Sequence, residues 1–72
     1  MKIEELGKLI KQRRMVLGLT IRKLADLTGM SKTTISQIEL GNSNPTFEVL
    51  QSIFEYLNLE ITVEVKNVNN KT

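Results

Sequence analysis

Between Ser31 and Glu39 the chain reads SKTTISQIE. Ile35 and Ile38, three residues apart, fall on one side of a helix there, so Lys32, Thr33, Ser36 and Gln37 project from the other. Those four side chains carry groups that match the edges of bases. The Gln37 amide can pair in bidentate fashion with N6 and N7 of adenine, and Lys32 can reach O6 and N7 of guanine. Thr33 can offer its hydroxyl to a base or its methyl to thymine, and Ser36 is a further candidate for a base contact. Ser31 or Thr34 can bond a phosphate. Catalytic chemistry has no such set. There is no histidine and no cysteine, which excludes disulfides, thiolates and the usual zinc sets. No Gly-rich phosphate loop is present, and the carboxylates are scattered over helix surfaces. We expect no enzyme, no metal, no cofactor and no small-molecule substrate.

Charge divides along the chain. From Lys8 to Lys32 there are seven basic residues (Lys8, Lys11, Arg13, Arg14, Arg22, Lys23, Lys32) against one acid, Asp26, a balance of +6. From Thr33 to Val65 there is no Lys or Arg and five acids (Glu39, Glu48, Glu55, Glu60, Glu64), a balance of −5. A basic half suits a polyanion; two solvated faces would give the same count. At 72 residues and 40% apolar, the chain predicts one domain with one small core, for which a second subunit is a natural source of added stability. No apolar run approaches the ~20 residues of a membrane span, and MKIEELGKLI is unlike a secretory signal. The expectation is a soluble protein with no membrane partner.

The elements that must position the reading face follow from apolar spacing. Ile3, Leu6, Leu9, Ile10 and Leu17 predict a first helix that ends near Gly18, its polar face carrying Lys8, Lys11, Gln12 and Arg13. Thr20 suits an N-cap of a short second helix bearing Ile21, Leu24, Ala25 and Leu27. Gly29 stops that helix, Ser31 caps the third, and Leu40–Gly41 end it. The loop NSNPT leads to Thr46, the cap of a fourth helix whose inner face is Phe47, Leu50, Ile53, Phe54 and Leu57 and whose left-handed end is Asn58. In LEITVEV the period changes to two. Leu59, Ile61, Val63 and Val65 alternate with Glu60, Thr62 and Glu64, which predicts a strand with one buried face.

A glycine inside a helical apolar pattern costs about 1 kcal/mol relative to Ala. Gly29 has a use that offsets this: a short helix, a tight turn with positive φ and a second, steeply crossing helix make a helix-turn-helix. Ala25 is small where the two helices approach. The run GLTIRKLADLTGMSKTTISQIELGNSNPTFEVLQSIFEYL resembles the helix-turn-helix domain of the lambdoid phage repressors and Cro proteins and of small bacterial regulators of that type. The resemblance rests on Leu24–Ala25, Gly29, Ser31, Ile35, Ile38, Glu39-x-Gly41 and Pro45–Thr46 and runs from about Leu6 to Leu57.

That resemblance implies an all-α bundle of four or five helices that binds double-stranded DNA as a homodimer, with the third helix in the major groove. It implies a salt bridge from Arg14 to Glu39 that positions this helix. Phosphate contacts fall to Thr20, Arg22 and Lys23 at the start of the second helix, and to Asn42, Ser43 and Asn44 in the loop. One position departs from the family. Ile21 stands where Gln commonly clamps a phosphate, so that contact is absent or is replaced by Arg22 or Thr20.

The expected organisation is a DNA-binding domain over 1–58, a dimerisation strand over 59–66 that pairs with its copy across a two-fold axis, and a flexible tail over 67–72. An extended tail on the helical core is the alternative for 59–66. The leading function is a homodimeric repressor of a palindromic operator, expected to be a bacterial or phage-encoded cytoplasmic protein associated with the nucleoid. The alternative is an antitoxin: helices followed by a single strand resemble the Hip-type antitoxins, which also bind a kinase-like toxin.

Overall fold

The computed structural model describes residues 1–66, which form four helices: α1 Ile3–Val16, α2 Ile21–Thr28, α3 Lys32–Leu40 and α4 Phe47–Leu57. Local chemistry marks their ends. Thr20, Ser31 and Thr46 are extended N-caps whose hydroxyls accept the third amide of α2, α3 and α4, from Lys23 (3.0 Å), Thr34 (3.0 Å) and Val49 (3.2 Å). Each cap satisfies an amide that the helix itself cannot. The backbone N–H of Lys2 donates to Glu5 Oε1 at the start of α1. Every helix closes in the same way: after a left-handed residue, the next amide folds back five positions. Leu19 donates to Arg14, Met30 to Ala25, Asn42 to Gln37 and Leu59 to Phe54.

The core is Ile10, Leu24, Ala25, Ile35, Ile38, Ile53, Phe54 and Leu57. α1 lies against α3 and α4, and α2 against the same two. Among the contacts that join distant parts of the chain are two made by Gly7 and Arg13 of α1. A methyl group on Gly7 would lie 2.5 Å from the Ile38 carbonyl oxygen and 2.6 Å from that of Glu39, so α1 touches the C-terminal backbone of α3 where the glycine has no side chain. Arg13 Nε donates to the Leu57 carbonyl at 2.8 Å, placing a cation on the negative end of α4.

Two expectations change. Of the apolar residues assigned inward, Leu9, Leu17 and Phe47 are exposed, Phe47 by 58%. Apolar spacing locates a face, and the outer residues of that face lie beyond the core's edge. The predicted strand at 59–66 is absent: the described residues contain no strand, and the fold is all-helical. A strand needs a ladder partner, and the described residues supply none. Its four alternating residues also part company. Leu59 and Ile61 pack on the helical core, whereas Val63 and Val65 are 94% and 99% exposed. The bundle has four helices among the described residues, the lower of the two expected numbers. The flexible tail expected over 67–72 lies outside the described residues.

Candidate nucleic-acid interface

α2 and α3 are joined by Gly29, Met30 and Ser31. Gly29 holds φ at +75°, and a methyl group added there would meet nothing within 4 Å. Its cost to any other residue is therefore one of backbone conformation alone. Gly29→Ala is expected to lose about 1–2 kcal/mol in a urea titration, and Gly29→Asn less, because Asn tolerates the left-handed region. On the inner side of the turn Leu24, Ala25, Ile35 and Ile38 are all buried. The Thr28 hydroxyl donates back to the Leu24 carbonyl at 2.8 Å, keeping the last turn of α2 tight.

With Ile35 and Ile38 inward, Lys32, Thr33, Thr34 and Gln37 are exposed and Ser36 is half-buried. Two depressions meet on this face. Lys32, Thr33, Ser36 and Gln37 line one together with Ile21. Thr33, Thr34 and Gln37 line the other with Ser43, Asn44 and Thr46. The four candidate base-reading residues thus share one surface, and the loop after α3 borders it.

The candidate phosphate residues are placed less uniformly. Thr20 and Ser31 each spend one acceptor lone pair on capping, and the Thr20 hydroxyl keeps its proton to donate. Ser31 and Thr34 hydroxyls are also 2.9 Å apart and bonded to each other. Arg22 and Lys23 are exposed on α2 but line neither depression. In the loop, Asn42 and Asn44 are exposed, while the Ser43 hydroxyl oxygen is buried with no hydrogen-bond partner among the described residues. Ile21 is half-buried beside the reading face, where it offers a hydrophobic wall and no donor.

Behind this face, Arg14 of α1 meets Glu39 of α3. Nε lies 2.7 Å from Oε2 and Nη2 lies 3.1 Å from Oε1, a bidentate pair whose side chains are only 10% and 4% exposed. Nη1 donates to the Leu19 carbonyl at 2.8 Å. One guanidinium therefore ties α1, the α1–α2 connection and α3 together. It is the only ion pair among the described residues. Sequence reasoning passed over Gly7 and placed Arg13 only on the polar face of the first helix, not at the end of α4. A glycine in mid-helix was the available signal for the first; the second carries none, since its acceptor is a main-chain carbonyl.

A model of the HTH_3 helix-turn-helix family matches residues 10–63. The HTH-type transcriptional regulator SutR of Escherichia coli (strain K12) is 33% identical over 67 residues, covering 93% of this chain and 38% of that protein. The ImmF control region 10 kDa protein of Bacillus phage phi105 is 37% identical over 60 residues, 83% of this chain and 67% of that one. The chain spans only 23% of a 30% identical transcriptional regulatory protein of Methanocaldococcus jannaschii. Among solved structures, the clp gene regulator ClgR from C. glutamicum superposes with a TM-score of 0.78 at 29% identity, over 81% of this chain and 74% of that one. The restriction-modification controller protein C.AhdI from Aeromonas hydrophila gives 0.77 at 22% identity, over 81% and 88%, a likeness of fold.

Proposed function

The chain belongs to the helix-turn-helix family, and from that premise we propose that it is a homodimeric repressor that reads a palindromic operator in double-stranded DNA. The observation that supports this most is the character of α3. One side is locked by Ile35, Ile38 and the Arg14–Glu39 pair, and the other presents Lys32, Thr33 and Gln37 to solvent. A helix held that rigidly can enter a major groove with its N-terminal side chains on base edges. Residues 1–58 carry this activity. Thr20, Arg22, Lys23, Ser31, Thr34, Asn42 and Asn44 supply phosphate contacts that set register without reading sequence. Similarity to SutR and to the phi105 control-region protein supports a regulatory role.

Two copies would place their α3 helices ~34 Å apart, one turn of the duplex. Exposed Phe47, Val63 and Val65 are apolar surface that a second copy can cover. The antitoxin alternative leaned on a C-terminal strand, and with none among the described residues nothing here favours a toxin partner.

Selection of bound sites from random duplex DNA tests the reading: it should return a palindromic consensus, bound with a steep salt dependence. Gln37→Ala should then relax the preference at one position per half-site, at a cost of ~1–3 kcal/mol there. A uniform loss over all sequences would show that Gln37 reads no base.

A further inference from the structure

A second groove adjoins the reading face. Its walls are a stripe of α1 (Glu4, Lys8, Lys11, Arg14) and the flank of α3 (Ser36, Glu39, Leu40), with Ile21 at the start of α2. Ile21 and Ser36 also line the depression over Lys32, Thr33 and Gln37. The groove and the base-reading surface therefore share a border, and the basic stripe of α1 lies alongside α3.

Charges in the groove do not cancel evenly. Arg14 and Glu39 neutralise each other at 2.7 Å. Glu4 packs against Gly41, where a methyl group on the glycine would lie 2.9 Å from its Cα. Lys8 and Lys11 are exposed, and neither is in an ion pair with a described carboxylate. Three residues apart, they are neighbours on one face of α1. Lys8 and Lys11 thus line the same groove as Ile21 and Ser36, with Glu4 the one carboxylate there that Arg14 does not engage, at a place where Ile21 itself offers no donor.

A helix is about 10–12 Å across and the major groove about 12 Å wide, so a helix inside it has a strand of phosphates along each flank. We infer that Lys8 and Lys11 form a phosphodiester-binding ledge, holding one strand of the DNA backbone against the flank of α3 that borders Ser36. The inference rests on the reading that α3 enters the duplex. It adds contacts from α1, an element outside the helix-turn-helix, and makes that element a source of affinity without sequence preference.

The test uses the full chain and its selected operator duplex. Lys8→Gln with Lys11→Gln should fold as the wild type does, because both side chains are exposed, and a matching thermal melt establishes that. Affinity should fall by roughly tenfold or more at physiological salt. The slope of log affinity against log salt should flatten by about one for each lysine, with the selected consensus unchanged. Ethylation of individual phosphates should reveal one or two positions per half-site whose modification weakens the wild type and leaves the variant indifferent. Lys8→Arg with Lys11→Arg should restore both affinity and slope. A double Gln variant with the wild-type slope and ethylation pattern would overturn the ledge while leaving operator recognition by α3 intact. A wild-type protein that prefers no duplex would overturn recognition by α3, and the ledge with it.

Discussion

Glu39→Ala is expected to destabilise the protein by about 3–5 kcal/mol, as removal of one partner from a buried ion pair does. The substitution strands the Arg14 guanidinium in a nearly dry site with a single remaining acceptor, the Leu19 carbonyl. Folded domains are stable by only about 5–15 kcal/mol, and one of this size belongs near the lower end. The variant should therefore keep no more than about 2 kcal/mol of stability and lose its helical circular-dichroism signal at a much lower temperature than the wild type. Arg14→Met combined with Glu39→Leu should behave quite differently. Exchanging a buried pair for apolar residues of similar volume removes two desolvated charges at once and is often neutral or stabilising. The double-mutant cycle should accordingly return a large coupling energy, of at least ~2 kcal/mol. Loss of less than 1 kcal/mol in Glu39→Ala, with no coupling, would show that the pair is worth no more than a surface bridge. The double variant also isolates what the pair does for α3. If it orients the helix, the stable apolar variant binds its operator more weakly; if it serves the fold alone, affinity is preserved.

Gly7→Ala is expected to lower stability where helix propensity would raise it. In a solvent-facing helix the change would gain about 1 kcal/mol. Here the added methyl would sit 2.5 Å from one main-chain oxygen, 2.6 Å from another and 2.9 Å from the Glu39 carbonyl carbon. These are backbone atoms of α3, which cannot rotate away as a side chain would. α1 must lift from α3, and overpacking of that kind costs ~1–3 kcal/mol. In a domain of this length each kcal/mol lowers the melting temperature by roughly 4–8 °C, so a thermal scan resolves the sign easily. An unchanged or higher melting temperature would mean that α1 and α3 are not in close contact at Gly7. The same separation of helices would also strain the Arg14–Glu39 pair, which lies on the same α1–α3 interface, so the Gly7 and Glu39 substitutions should combine non-additively.

These two sites show how differently the features of the molecule reveal themselves. The Arg14–Glu39 pair was expected only because the chain resembles a known family; charge and spacing alone do not join residues 25 positions apart. The caps at Thr20, Ser31 and Thr46 were legible directly, since each acts on an amide three residues away. The reading face was legible for the same reason: Ile35 and Ile38 bury one side of a single short helix, which fixes where Lys32, Thr33 and Gln37 point. LEITVEV misled because alternation reports two faces of an extended segment and says nothing about what will pair with its edges. In the folded chain its first half is held by the core while its last two valines stand clear.

By itself the sequence determined the helix boundaries, their polar caps, the turn at Gly29 and the outward side of α3, because each of these follows from interactions within about one helical turn. Only the tertiary structure decided that Gly7 is a contact point, that Arg13 closes the end of α4, that the Ser43 hydroxyl oxygen is buried, and that Lys8 and Lys11 flank the reading helix. Those depend on how separate helices are placed against one another, and a packing arrangement across the bundle leaves no periodicity in the chain from which it could be read.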